Sequence, residues 1–359
     1  MSTELISAKP SAGGNNTQSA IPPTPANIMQ TGLGFWNSKT LLAAIRFELF
    51  TLLSKGPLSA EEIRKQLKLH PRSLFDFLDA LTALGFLQRD GILQSAIYSN
   101  TSDTDMFLDK SKPSYIGGML EMCNNRLYQF WGNLEEGLQT GEPQNEIRTG
   151  DSNMFEVLYK DPARLEEFIK AMGSFQVGNF MEFAKKFNFS KYKTLVDAGG
   201  AGGFLSIYVA LNNQHMQCIS YDLPAVESIA QANVDHFGVV DRVKCISGDF
   251  FKNDLPKADV VVMGNILHDW NEEQKLNLFK KAYEALPVGG AFVAIENIID
   301  SDRRKNVLGL LMSLNMLIET PGGFDYTGSD FERWAKQTGF DTTNIISLTG
   351  PTSAAIAYK

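Results

Sequence analysis

The sequence predicts an α/β chain in which an open, largely parallel sheet fills the second half and a small winged helix fills the first. Three observations predict it. From Lys191 onward, short β-branched runs alternate with amphipathic stretches, the texture of strands joined by crossover helices. One of these runs, Leu195–Ala198, passes straight into Gly199-Gly200-Ala201-Gly202-Gly203. The segment from Phe35 to Tyr98 reads as three helices and a hairpin. A chain of 359 residues exceeds what one compact domain usually holds, so two domains are expected.

In chain order, the first 28 residues are rich in Ser, Thr, Asn, Gly and Pro and read as a flexible leader. They lack the apolar stretch of a secretory signal, and no run elsewhere is long and apolar enough to span a bilayer. A cytoplasmic protein without membrane contact is expected. Leu41, Ile45, Leu49 and Leu52 fall at helical spacing up to Lys55-Gly56-Pro57. Ser59 with Glu62 three residues later forms a capping box for a second helix. Pro71 opens a third, with Leu74, Phe75, Leu78, Leu81 and Leu84 on its apolar side. Phe86 to Tyr98 completes the winged helix as a hairpin turning at Asp90-Gly91.

Winged helices often bind DNA, and charge decides against it here. A helix that reads DNA needs several exposed Arg or Lys. The third helix offers Arg72 against Asp76 and Asp79, and the whole chain carries a formal net charge of -8. A dimerisation scaffold is the expected role, with no nucleic acid as partner. The three cysteines, Cys123, Cys218 and Cys245, are scattered and lack metal-ligand spacing, so buried thiols and no metal are expected.

Residues 113 to 187 look helical, with breaks near Gly141-Glu142-Pro143 and Asp161-Pro162. Strands are expected at Thr194–Ala198, Gln217–Asp222, Val243–Asp249, Ala258–Asn265 and Gly289–Asn297. Thr343–Leu348 and Ser353–Tyr358 lie close enough in sequence for a terminal antiparallel pair.

The glycines after the first of these strands let backbone approach a ligand where open α/β sheets bind one. They do not fit the dinucleotide fingerprint GxGxxG. Begun at Gly200 it meets Leu205 in place of the third glycine, and begun at Gly199 it meets Ala201 at the second. The remaining pattern suits a nucleoside without a pyrophosphate. Asp222 ends the next strand about twenty residues on, where a carboxylate can accept ribose hydroxyls. Asp249-Phe250 ends the third, where an acid can hold an adenine amino group and a ring can cover the base.

With Tyr221-Asp222-Leu223-Pro224, Gly248-Asp249-Phe250 and His268-Asp269-Trp270, the chain from about residue 35 resembles a known family. These are the S-adenosylmethionine (SAM)-dependent O-methyltransferases of the plant caffeate, acetylserotonin and bacterial polyketide type. The resemblance implies a Rossmann-like class I SAM-methyltransferase domain over 188–359. Before it would come a helical connecting region and pocket lid over 111–187 and a winged-helix dimerisation domain over 29–110, giving a homodimer. Gly199, Gly200 and Gly202 would line the methionine part of SAM, Asp222 would bind ribose, and Asp249 and Phe250 would address adenine with Trp270 against its ring.

Of the four histidines, His268 alone follows a strand end at the edge where the cofactor is expected. The resemblance implies that it is the general base, acting on a small, aromatic hydroxyl acceptor. A neutral imidazole, pKa about 6.5, can take the proton of a phenol, pKa about 10, as its oxygen attacks the methyl group. Glu296 is expected to orient the ring, and Asp325 matches a second position where plant members carry Glu. By resemblance Tyr128, Trp131, Met172, Phe175, Met312 and Met316 would face the acceptor. Gly264 departs from the pattern, since plant relatives place a lysine there, so cofactor contacts at that point must differ. Two other functions fit the same sequence: a SAM-binding relative recruited for hydroxylation, decarboxylation or pericyclic chemistry, and a ligand-sensing winged-helix regulator. A base at residue 268 would be idle in the first, and the acidic charge opposes the second.

Overall fold

The structure, a computed structural model, describes residues 23–147 and 161–359. Residues 1–22 of the expected leader lie outside them. The leader was expected to run to residue 28, but a helix covers Ala26–Gly32. The proline cluster ends at Pro25, and Ala26, Met29 and Gln30 favour helix.

The N-terminal unit is built from helices α1 (Gly34–Arg46), α2 (Ala60–Leu67) and α3 (Leu74–Ala83) and strands β1 (Leu58–Ser59), β2 (Leu87–Asp90) and β3 (Ile97–Asn100). The strands form an antiparallel sheet in the order β1-β3-β2. The first apolar run is not one helix. Glu48 takes φ +57°, and a separate turn, Leu49–Leu53, swings Leu49 and Phe50 into the core with Ile45, Ile63, Leu78 and Leu81. The capping box forms: the Glu62 amide donates to Ser59 Oγ, and the Ser59 amide to Glu62 Oε2 at 2.8 Å. The hairpin connection is longer than a tight turn, passing from Gly91 through a 3-10 turn at Leu93–Ser95. Arg89 of the wing is bound to Asp79 of α3 at 2.7 Å, which removes a cation from any DNA-facing surface.

The second half holds helices α4 (Pro162–Lys186), α5 (Phe204–Asn212), α6 (Pro224–His236), α7 (Glu272–Ala285), α8 (Val307–Glu319) and α9 (Gly328–Gln337). Its strands are β4 (Thr194–Ala198), β5 (Gln217–Asp222), β6 (Val243–Ser247), β7 (Val260–Gly264), β8 (Ala291–Glu296), β9 (Thr342–Ser347) and β10 (Ser353–Tyr358). They make one sheet in the order β6-β5-β4-β7-β8-β10-β9. The first five are parallel, and β10 lies antiparallel to both β8 and β9. Successive residues of the central strands go to opposite cores. Leu195, Val260, Val262, Val293 and Ile295 pack under α5, and Val196, Val261, Met263, Phe292 and Ala294 pack under α7 and α9. A sheet covered on both faces needs such continuous apolar strands. Three expected strands run two or three residues too long: Asp249, Asn265 and Asn297 already belong to loops, and two of the strands begin only at Val260 and Ala291.

This topology makes the crevice. The chain moves outward from β4 through β5 to β6, then returns to lay β7 on the other side of β4. The helices after β4 and β7 cover opposite faces, so the loops after these two neighbours diverge at their carboxyl ends. The described part of the connecting region before α4 is helical. It comprises Gly117–Met122, a π turn at Cys123–Leu127, and Leu134–Thr140 ending in Gly141 at φ +74°.

Candidate active site

A cavity of about 550 Å³ occupies the crevice. One side is made of chain turns. Gly199, Gly200 and Gly202 line it together with Asp222, Asp249, Phe250 and Trp270, which brings all seven expected cofactor residues to one place. The loop after β4 is pinned by its neighbour: the Gly199 amide donates to the Tyr221 carbonyl at 2.8 Å, and the Ala201 amide to Asp222 Oδ2 at 2.8 Å. Gly199 has φ +81°, and a Cβ there would overlap the Ile266 side chain, so only glycine suits this close approach of two loops. Asp222 Oδ1 accepts the Leu223 amide at 2.7 Å, and burial pushes the Asp222 carboxyl above its ordinary range. Asp249 Oδ1 holds the Phe251 amide at 2.9 Å, and Phe251 stands edge-on to Trp270 with ring centres 4.6 Å apart.

Asp197, which no sequence pattern singled out, lines the same side. Its Oδ2 is buried without a hydrogen-bond partner, and burial together with the nearby Asp222 charge pushes its carboxyl up to about 7. Ser206 supplies hydrogen bonds to the group, but a buried carboxylate with one oxygen left over beside a glycine cradle suits a ligand that carries a positive charge. Its position just before the glycine run was the available signal.

His268 sits in a 3-10 turn, Leu267–Asp269, directly after β7 and lines the cavity although it is only 6% exposed. Its ring lies between two carboxylates: Nδ1 is 3.4 Å from Asp325 Oδ1, and Nε2 is 3.6 Å from Asp269 Oδ1. The two expected orienting acids therefore divide their work differently from the expectation. Glu296 Oε1 accepts the backbone amide of His268 at 3.1 Å and so fixes the turn, while Asp325 faces the ring. The reason is positional. Glu296 ends β8, alongside the strand that leads into the turn, whereas Asp325 arrives on a loop stacked beneath it. A Cβ on Gly323 of that loop would lie 2.5 Å from the His268 carbonyl oxygen, so a short acid suffices. Burial alone pulls the ring's pKa down, but Asp325, Asp269 and Glu296 together outweigh it and push it up to about 10. Burial raises the Asp269 carboxyl to about 7.

The other side of the cavity is lined by helices. Met172 and Phe175 of α4 and Met312 and Met316 of α8 are on its wall, as expected. Tyr128 and Trp131 are not among the lining residues. A π turn at Cys123–Leu127 widens the helix here, and Met122, Arg126 and Leu127 face inward instead. Trp131 stands behind Met172 and donates from Nε1 to Asn315 Oδ1 at 2.9 Å, while Tyr128 lies under Lys39. Gln176 and Asn297 add polar groups to the wall that no sequence pattern distinguished. Gly264 also lines the cavity. The space a side chain would take there is occupied by Phe180, 3.3 Å from the Cβ position, so the helix α4 covers the strand end where relatives place lysine. Among the described residues no group of His, Cys, Asp and Glu is arranged to hold a metal ion.

The O-methyltransferase domain family matches residues 131–341, and the O-methyltransferase dimerisation domain family matches residues 29–110. The tetracenomycin polyketide synthesis 8-O-methyl transferase TcmO of Streptomyces glaucescens is 36% identical, over 93% of this chain and 97% of that protein. The 3-hydroxy-5-methyl-1-naphthoate 3-O-methyltransferase of Streptomyces sahachiroi is 31% identical, over 93% of this chain and 95% of that one. Among solved structures, human N-acetylserotonin methyltransferase in complex with SAM has the same fold, with a TM-score of 0.87 at 25% identity over 95% of this chain and 99% of that one. With a glycine-lined crevice at the switch point of its sheet and these matches along nearly its whole length, the chain belongs to the SAM-dependent O-methyltransferase family.

Proposed function

We propose that this enzyme methylates a hydroxyl of a small aromatic molecule, with His268 as general base and Asp325 as the acid that orients it. One observation carries the reading: a buried imidazole, backed by carboxylates, lines the same cavity as the glycine turn and Asp222. The residues present fit SAM. The glycine turn at 199–202 leaves room for the methionine part, and the unpartnered Asp197 Oδ2 suits its ammonium group. Asp222 keeps lone pairs for the ribose hydroxyls, and Asp249 with Phe250 and Trp270 suits the adenine. When bound, SAM supplies an electrophilic methyl group and a positive charge that disfavours a second one on the nearby ring.

His268 takes the acceptor's proton through Nε2 while Asp325 holds the Nδ1 side. That tautomer needs both the carboxylate contact and the turn fixed by Glu296. The neutral ring is the active form, so turnover rises with pH as the ring releases the proton its carboxylates hold. Met172, Phe175, Met312 and Met316 offer flat, adaptable packing for an aromatic acceptor. The polyketide and naphthoate substrates in the names of the two bacterial relatives support the same class. Exposed Ile28, Met29, Phe35 and Trp36 on the N-terminal unit support a homodimer, which light scattering reads directly. No described helix is long and apolar enough to cross a membrane.

The deciding experiment incubates the enzyme with SAM and a panel of hydroxylated aromatics, with mass spectrometry of the products. A methylated product together with S-adenosylhomocysteine is expected. A changed product without the added methyl, and without S-adenosylhomocysteine, would defeat the proposal.

A further inference from the structure

Lys275 is the fifth residue after Trp270 and lies in the first turns of α7, yet its side chain is 0% exposed. Burying an ammonium group costs several kcal/mol unless charges and hydrogen bonds compensate. The chain runs back beneath the catalytic turn, where Nζ donates to the Trp270 carbonyl at 2.5 Å. It also stands 3.3 Å from the centre of the Phe324 ring, with Tyr326 and Trp334 at 5.9 and 5.7 Å. Trp270 closes the turn that carries His268, and Phe324 immediately precedes Asp325. One ammonium thus grips both segments whose separation sets the ring-to-carboxylate distance.

The charge has a second consequence. Four acids act on Lys275: Glu296 from β8, Asp325 from the 321–326 loop, Asp269 from the catalytic turn and Glu272 from its own helix. Three of them also act on His268. The ammonium is thus a shared counter-charge for Asp269 on the turn and Asp325 on the loop, and it draws these two segments together. Glu272 is further engaged by Arg333 at 2.6 Å, so it is the least available of the four.

We propose that Lys275 is a positioning residue for methyl transfer: it braces the His268 turn against the Asp325 loop and so fixes the distance between ring and carboxylate. Burial lowers its own pKa to about 8, so its charge is present at neutral pH and fades above that. The proposal rests on His268 being the base, but its test does not.

The test uses the full-length enzyme with 13C-labelled histidine and tracks the His268 ring by NMR without ligand, the signal assigned through His268→Gln. Lys275→Met and Lys275→Gln both remove the charge, and glutamine keeps a donor for the Trp270 carbonyl. Without the brace the ring-to-carboxylate distance is no longer fixed, so the His268 ring signals at pH 7, where the lysine is charged, are expected to shift and broaden in both variants. With the phenol that gives the highest SAM-dependent turnover, kcat at pH 7 is expected to fall roughly tenfold in Lys275→Met and less in Lys275→Gln. The KM for SAM should stay near wild type. A merely structural lysine would lower the melting temperature and leave the ring signals and kcat of the folded enzyme in place. Either variant, folded and dimeric, whose His268 signals at pH 7 and kcat superimpose on wild type overturns the proposal. Because the NMR measurement needs neither acceptor nor cofactor, it still reads Lys275 if His268→Ala proves active and the base assignment fails.

Discussion

The proposed cofactor side of the cavity is built from turns at the ends of β4, β5 and β6, and the proposed acceptor side from side chains on three helical segments. On the first, backbone amides and short acids fix every position: Asp222 holds the Ala201 amide, and Asp249 holds that of Phe251. On the second, methionines and phenylalanines meet across a space with few hydrogen bonds to define it. A ligand that never changes suits the first construction, and acceptors that differ among relatives suit the second. His268 lines the same cavity from a turn, its ring between Asp325 and Asp269.

If that division is right, two substitutions should separate cleanly. His268→Ala is expected to lower kcat roughly a hundred- to ten-thousand-fold while leaving SAM affinity nearly unchanged, because it removes the proposed base and none of the proposed cofactor contacts. Asp222→Ala should do the reverse. It loses a charged hydrogen-bond acceptor and loosens the Ala201 amide, weakening SAM about ten- to a hundredfold, with kcat at saturating SAM largely kept. Calorimetric SAM binding beside steady-state kinetics measures both. Equal losses of affinity and kcat in either variant would erase the boundary between the halves.

A smaller effect, on stability, sharpens the cofactor side alone. The Asp197 carboxyl is raised to about 7 in the folded chain, so folding favours its protonated form. By linkage, the favourable state is fully present below the ordinary carboxylate range near pH 4 and is lost as pH rises through about 7. Asp197→Asn removes an ionisable group that only Ser206 hydrogen bonds compensate without ligand. The ligand-free variant should therefore melt several degrees higher than wild type at pH 8, match it near pH 4, and bind SAM more weakly. Thermal melts at the two pH values decide this, and a wild-type advantage at pH 8 would mean that Asp197 is already matched inside the protein.

The same contrast explains what was legible in the sequence. Strand ends, glycines and acids of the cofactor side are local features, since a residue that must come after a strand and before a helix is located by its neighbours. Asp222, Asp249 and the glycine turn could be read for that reason. Tyr128 and Trp131 could not, because a single π turn at Cys123–Leu127 changes which side chains face inward, and no apolar periodicity reveals it. That Asp325 rather than Glu296 stands beside the ring was hidden for another reason. The resemblance pointed to Glu296, but the stacking of the 321–326 loop against the His268 carbonyl brings Asp325 to the ring. Lys275 looked like any polar residue on an amphipathic helix. Only its burial beneath aromatic rings distinguishes it.

The smallest expected effect tests the acceptor side by leaving its volume alone. Met172→Leu and Met316→Leu each replace a flexible side chain with a stiffer one of similar size. Such exchanges usually cost less than about 1.5 kcal/mol of stability. If these methionines serve mainly as adaptable wall, SAM affinity and kcat for a well-fitting acceptor should stay within a few-fold of wild type. The spread of KM across differently shaped acceptors should widen, because leucine cannot adapt to each ring as methionine does. A panel of phenols of graded width measures this. A uniform loss across the panel would instead mean that the two residues hold α4 and α8 in place, and that the acceptor side is as rigid as the turns opposite it.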